Sequence, residues 1–261
     1  MDTPASKFDA SIERWVAEND LPWMKLKTEI GLSNLKKHLP EKRLRILDAG
    51  GGSGADSIPL AREGHSVDLL DYSAEMIRVA KADVECKGLQ DKIRFHVANV
   101  SQLDRIFPQP QFDLILCHNV LQFVGDVPAL LGNLAKTLVP GGIISLISGN
   151  RYTIPYRIAF NSKDLDEAFR QIGSRNFRNV IFNTTVTEYS AEEMRAMLPG
   201  SGLSFDAHYG IRCLIDYWGD NETKLRPEVW AKIEKLEYAL TDRYPYNLLA
   251  RFWQIIAHKV D

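Results

Sequence analysis

The stretch Leu44-Arg45-Ile46-Leu47-Asp48-Ala49-Gly50-Gly51-Gly52-Ser53-Gly54 decides the fold. Its first half is a short apolar run of the kind that forms a buried strand, and its second half is a glycine-rich turn. A helical pattern follows at once, with Ile58, Leu60 and Ala61 as its apolar positions and Gly64 as its stop. Strand, glycine loop and helix in that order cradle a nucleotide, because glycines let the backbone turn tightly and let a ligand come close. Two readings of the loop are open. Gly50-x-Gly52-x-x-Ala55 satisfies the dinucleotide fingerprint, which sets a pyrophosphate on the helix N-terminus. The same stretch also reads D-x-G-x-G-x-G, with Asp48 two positions before the first glycine.

Working outward, the alternation of strand and helix repeats. His65–Asp71 reads as a second strand, and Ala74–Lys87 as a helix with Ser73 at its N-cap and Gly88 at its end. Ile93–Ala98 is a third strand and the wholly apolar Phe112–Cys117 a fourth, buried on both faces. Val127–Leu138 reads as a helix halted by Pro140-Gly141-Gly142, with Ile143–Ser148 as the fifth strand. This rhythm predicts an α/β fold, a doubly wound and mostly parallel sheet that binds ligands at the carboxyl ends of its strands.

The flanks divide the chain. Residues 1–44 form an N-terminal helical segment: Ile12, Trp15 and Val16 lie in one helix, Leu26, Ile30, Leu32, Leu35 and Leu39 in the next, with Pro22 between and Pro40 closing the second. Residues 45–150 make the nucleotide-binding core. The rhythm breaks over 151–189, a polar, aromatic-dotted insertion of helices and loops that reads as surface or as a lid over the substrate. In 190–261, Ser190-x-x-Glu193 is a capping box, and Phe205–Leu214 and Phe252–Lys259 are two more strands around a helix near Pro227–Tyr238.

Composition excludes several classes. The 261 residues carry 32 basic and 34 acidic side chains, a net charge of −2, which rules out a protein that works through a strong positive field. Cys86, Cys117 and Cys213 are an odd count without a C-x-x-C pair, so neither a disulfide framework nor a zinc knuckle is expected, and a reducing cytoplasm is. The polar start MDTPASKFDASIERW predicts no signal peptide, and no apolar run is long enough to span a membrane. No two histidines share i, i+3 or i, i+4 spacing, so no metal site is expected.

The D-x-G-x-G-x-G loop, Asp71 at the end of the second strand, Asn99 after the third, Phe112–His118 with Asn119–Phe123, and Leu138-Val139-Pro140-Gly141-Gly142 together resemble the motifs of class I S-adenosylmethionine-dependent methyltransferases. The resemblance implies a Rossmann-like sheet with a C-terminal antiparallel strand, and S-adenosylmethionine as cofactor. It places Gly50, Gly51 and Gly52 against the amino-acid part of the cofactor, Asp71 with Tyr72 at the ribose, and Ala98, Asn99 and Val100 around the adenine. A carboxylate at Asp71 suits the ribose of either cofactor class. Asp48 either touches the ligand or caps backbone N–H groups of the loop, and His118 is either a wall of the pocket or a base.

A narrower resemblance covers most of the chain. Leu26-Lys27, the triple glycine, His118-x-Val120-Leu121-x-Phe123-Val124, Gly149-Asn150, Gly210–Tyr217, Leu236-Glu237, Pro245-Tyr246 and Ala250-Arg251-Phe252 are similar to the bacterial tRNA 5-carboxymethoxyuridine methyltransferases. That family esterifies the carboxylate of a modified wobble uridine. It carries an arginine where Lys27 stands, which implies that Lys27 meets the methionine carboxylate, and it has a lysine-rich stretch where this chain has Arg170, Arg175 and Arg178. Candidate substrate-positioning residues are Asn150, Arg151, Arg212, Tyr217, Tyr246 and Arg251, with Tyr152 beside them. The acceptor is thus tRNA or, alternatively, a small metabolite methylated at N, O or S.

Overall fold

The computed structural model describes residues 19–179 and 184–260. The expected helix around Ile12, Trp15 and Val16 lies outside them. Strands β1 (Arg45–Ala49), β2 (Ser66–Asp71), β3 (Ile93–Val97), β4 (Phe112–His118), β5 (Leu138–Gly149), β8 (Leu203–Ile211) and β9 (Phe252–Lys259) form one sheet in the order β3-β2-β1-β4-β5-β9-β8. β9 runs antiparallel to both its neighbours, and the other strands are parallel. The order reverses between β1 and β4, so a crevice opens at their carboxyl ends.

Side chains alternate across this sheet. Leu47, Ile115, Cys117, Leu146, Trp253 and Ile255 point to one face, where they bury helices α4 (Val127–Thr137) and α6 (Ala191–Met197). Ile46, Leu69, Leu114, Leu116 and Ile256 point to the other, against α1 (Pro22–Lys36), α2 (Ser57–Arg62) and α3 (Ala74–Cys86). The residues of β4 from Leu114 to Cys117 are fully buried, as an apolar central strand requires. Pro22 sits in the first turn of α1, where its missing N–H costs nothing.

α1 is tied to the far end of the sheet. Its Leu26 and Ile30 pack on Ile147 of β5, Ile211 of β8 and Phe252 of β9. Each such burial contributes about 1.5–3 kcal/mol. Opposite, α7 (Pro227–Leu240) brings the Glu237 carboxylate to the backbone N–H groups of Cys213, Leu214 and Ile215, at 2.6, 3.0 and 2.8 Å.

Three sequence expectations shift. Pro140-Gly141-Gly142 is not a turn before the fifth strand but lies inside β5, whose register against β4 jumps between Phe112 and Leu114. The strand expected over Phe205–Leu214 ends at Ile211, because Arg212 adopts a left-handed φ of 63° and turns the chain onto Glu237. Within 151–189, helical turns and α5 (Leu165–Arg170) appear as expected, but an antiparallel ribbon of β6 (Asn176–Asn179) and β7 (Thr184–Thr187) was not foreseen. Its strands are short and polar, and only Val186 is buried between them, so the sequence shows no apolar alternation there.

Candidate active site

The glycine loop is held by backbone bonds that leave no choice of path. Gly50 and Gly51 N–H both donate to Leu70 O, at 2.7 and 3.1 Å, and Gly52 N–H donates to Asp71 Oδ2 at 2.9 Å. Asp71 Oδ1 accepts from Ser73 N–H at 2.9 Å, so one buried carboxylate fixes the loop and starts α3. Gly50 has φ +83°, a conformation that side chains resist. A Cβ on Gly51 would stand 2.6 Å from the Asp48 carboxyl and 2.8 Å from Leu69. No other residue fits at that position.

Asp48 does not cap the glycine N–H groups, which bind Leu70 and Asp71 instead; its Oδ2 accepts from Ser57 Oγ at 2.5 Å. Burial, with Asp56 and Asp71 nearby, pushes the Asp48 carboxyl up to about 7. Asp56 stays below the ordinary carboxylate value although burial opposes this, because His118 and Lys27 face it. The Lys27 ammonium is lowered to about 8 by burial, with Asp56 opposing and Arg212 and Arg251 adding repulsion. Both His118 ring nitrogens are occupied, Nδ1 by Asp56 Oδ2 at 3.1 Å and Nε2 by Ser145 Oγ at 2.9 Å. These two contacts give the His118 ring a fixed orientation.

At the end of β3, Asn99 caps a short helical turn. Its side-chain oxygen accepts from Ser101 N–H, and its own N–H donates to Gln102. The oxygen expected to meet an adenine amino group is thus already engaged by backbone. Ala98 borders a depression of about 380 Å³ shared with His96, Val97, Gln102, Arg105 and Ile106. A larger groove of about 1070 Å³ between α1 and α3 meets the glycine loop only at Ser53 and Ala55.

On the other side of the crevice the sequence candidates separate. Asn150 is committed to structure: its amide donates to Leu248 O and Ala250 O, both at 2.9 Å, while its oxygen accepts from Tyr152 N–H. Arg151 pairs with Glu193 at 2.7 Å, beside α6. Tyr246 is exposed. Arg212, Arg251 and Lys27 converge on one ring, with Phe252 centred 5.5, 4.5 and 5.4 Å from their cationic groups. Arg212 is clamped in a two-pronged pair with Asp216. Tyr217 donates to Leu249 O and stands between Tyr156 and Phe160, at 5.9 and 6.0 Å, its hydroxyl pushed well up by burial.

The sequence reading missed Arg157, Glu188 and Asp56 as site residues. Glu188 is buried and binds Arg157 Nη2 at 2.5 Å, with Arg251 Nη1 3.5 Å away. Arg157 Nε and Nη1 and Arg251 Nη1 are buried with no hydrogen-bond partner among the described residues. Arg157 also stacks on Phe177 at 3.8 Å, and burial and Arg251 lower its guanidinium to about 9. Arg157 lies in the insertion after β5, and no spacing links it to Glu188 or Arg251.

Residues 40–198 match the family described as a methyltransferase domain. The chain belongs to that family. It is an S-adenosylmethionine-dependent methyltransferase. The tRNA 5-carboxymethoxyuridine methyltransferase of Escherichia coli (strain K12) is 29% identical over 87% of this chain and 85% of its own length. A ubiquinone biosynthesis O-methyltransferase of Paramagnetospirillum magneticum is 34% identical over 70% of this chain and 69% of its own. In three dimensions the chain is similar to a methyltransferase of Methanosarcina mazei, with a TM-score of 0.59 and 20% identity over 87% of this chain and 97% of the other. It is also similar to geranyl diphosphate C-methyltransferase of Streptomyces coelicolor, at 0.58 and 19% over 87% and 78%. These two likenesses bear on the fold alone.

The residues at the loop fit this methyltransferase's cofactor. S-adenosylmethionine supplies a methyl group on a positively charged sulfur, beside an ammonium and a carboxylate. Asp56, held below the ordinary carboxylate value, gives the end of the loop a negative charge, and Lys27 offers a cation without a bound carboxylate among the described residues. No described helix is long and apolar enough to cross a membrane, and no described cluster of His, Cys, Asp or Glu could hold a metal.

Proposed function

We propose that this methyltransferase esterifies the carboxylate of 5-carboxymethoxyuridine in tRNA. The observation that carries the reading is the buried guanidinium pair of Arg157 and Arg251, whose Nε and Nη1 atoms include three without an acceptor. It lies beside the carboxyl end of β5, where a Cβ on Gly149 would stand 2.5 Å from Glu188 Oε1. Guanidinium forks suit a carboxylate, and the rings of Tyr156, Phe160 and Tyr217 suit the face of a base. The likeness to the Escherichia coli tRNA enzyme over 87% of the chain supports the same acceptor.

A carboxylate is already anionic at neutral pH, so its oxygen needs no proton removed. The protein's task is then alignment, worth several powers of ten when the reacting atoms are held in line. Lys27, Asp48, Gly50, Gly51, Gly52, Asp71, Tyr72, Ala98, Asn99, Val100 and His118 form the cofactor side in this reading. Arg251 and Arg157 orient the acceptor, with Arg212 held beside them by Asp216, Tyr217 and Tyr246 flank it, and Asn150 and Arg151 brace the segment beside it.

A second reading, methylation of a small metabolite at N, O or S, is favoured by the net charge of −2 and by the 34% identical O-methyltransferase. A hydroxyl acceptor would need a base, and His118 has both nitrogens engaged. Incubation with labelled S-adenosylmethionine and tRNA bearing 5-carboxymethoxyuridine tests the proposal. The expected result is label in RNA as a base-labile ester; label confined to the small-molecule fraction of a cell extract overturns it.

A further inference from the structure

A continuous file of buried side chains crosses the sheet behind the cofactor side, and its proton positions can be deduced from one end. Gly210 O can only accept, so Thr241 Oγ1 donates to it at 2.7 Å. The Thr241 oxygen then accepts from Asn34 Nδ2 at 2.9 Å, and the same amide donates to Gln254 Oε1 at 3.2 Å. Gly31 O likewise can only accept, and it takes a bond from Gln254 Nε2 at 2.9 Å. The second N–H of that amide points to Ser145 Oγ, at 3.0 Å. Ser145 is fully buried, and its single hydrogen therefore goes to His118 Nε2 at 2.9 Å. With Ser145 donating to His118 Nε2, Nδ1 is left to donate to Asp56 Oδ2 at 3.1 Å.

We infer that this relay makes His118 a positioning residue for Asp56, and that Asp56 receives the ammonium of S-adenosylmethionine beside Lys27, which the family resemblance already sets at the methionine carboxylate. Asp56 opens α2 directly after the glycine loop, and its side chain is 18% exposed, enough to meet a ligand. Lys27 is attracted by Asp56 and repelled by Arg212 and Arg251, yet holds no hydrogen-bonded carboxylate among the described residues. An anion and a cation set side by side complement an ammonium and a carboxylate carried on one carbon. His118 adds a fixed donor that keeps the Asp56 carboxylate from swinging onto Lys27. The relay depends on Gln254 of β9 and Asn34 of α1, so two elements outside the loop set the orientation of the residue that serves it.

Two measurements on the intact chain test this. Nitrogen-15 spectra of the ligand-free protein, with the His118 signal assigned through His118→Gln, should show the Nδ1–H tautomer. Ser145→Ala removes the donor to Nε2 and leaves Nδ1 facing Asp56, so the Nδ1–H form should persist while the Nε2 resonance moves toward that of a nitrogen accepting no hydrogen bond. A parent ring already protonated on Nε2 overturns the relay. By calorimetry, Asp56→Asn should weaken S-adenosylhomocysteine binding at least about tenfold, roughly 1.4 kcal/mol, and leave 5′-methylthioadenosine, which lacks the amino-acid end, within about twofold. Equal losses for both ligands, or no loss for either, overturn the role given to Asp56. Neither measurement uses an acceptor, so failure here and failure of the tRNA reading are separate results.

Discussion

The two walls of the crevice are built by different means. The cofactor wall is a run of neighbours: Asp48 to Ser57 and Leu70 to Ser73, joined mostly by backbone donors to Leu70 O and Asp71. The proposed acceptor wall joins Arg157, Glu188, Arg212 and Arg251, held by side-chain ion pairs, with Tyr217 bonded to Leu249 O. Backbone anchoring fixes a shape for a ligand that never changes. Buried ion pairs hold charges in a place from which an anionic ligand can borrow them.

The sharpest way to break this contrast is Glu188→Gln. It leaves two buried guanidiniums without their shared anion, and the expected cost is about 3–5 kcal/mol in chemical denaturation. A loss below about 1 kcal/mol would mean that the acceptor wall is not held by its charges. Asp71→Ala should act on the opposite wall. It strips an acceptor from the N–H groups of Gly52 and Ser73, at about 1–3 kcal/mol each, and should weaken S-adenosylhomocysteine binding at least about tenfold by calorimetry.

Arg251→Ala sharpens the comparison from the other direction. Methylation of the accepted substrate should fall at least about tenfold while S-adenosylhomocysteine affinity moves by less than about twofold. Wild-type turnover in that variant would remove Arg251 from the acceptor site. A smaller effect concerns pH. Asp48 is held up to about 7 against an ordinary value of 3.8, so the folded chain binds this proton more tightly than the unfolded one. Its contribution to stability is full below about pH 4, declines through about pH 7 and is flat above. Asp48→Asn should therefore flatten the pH dependence of the urea midpoint between pH 5 and 7 relative to the parent. Parallel curves would show that Asp48 is ionised throughout.

The contrast also explains what could be read from the sequence. The loop was legible because a strand, four glycines and a helix follow one another between Arg45 and Arg62, and each glycine has a local steric or backbone reason. Asp71 and His118 were legible because both end apolar strands, whose carboxyl ends line the crevice. Asn150 follows β5 at the crevice, but what its amide does there was not legible: both halves are engaged by the turn into the next segment. Arg157 and Glu188 were hidden because a pair thirty-one positions apart has no periodicity to betray it. Asp56 looked like one more polar residue in a helix start until His118 was seen to face it. The ribbon of β6 and β7 escaped because polar short strands carry no period-two signal.

The docking of α1 on β5, β8 and β9 has a consequence for modularity. The recognisable domain, residues 40–198, contains the glycine loop, Asp71 and His118. Lys27 precedes it, and Arg212, Gln254, Arg251 and Phe252 follow it. A fragment cut to the recognisable domain would carry the loop of its relatives but lose the cations around Phe252 and the amide that orients His118. The site thus draws on residues from both flanks of the recognisable domain, which meet across the sheet. Chimeras that exchange the flanks as a matched pair should keep the charge arrangement, while exchange of either flank alone separates α1 from the strands it was fitted to.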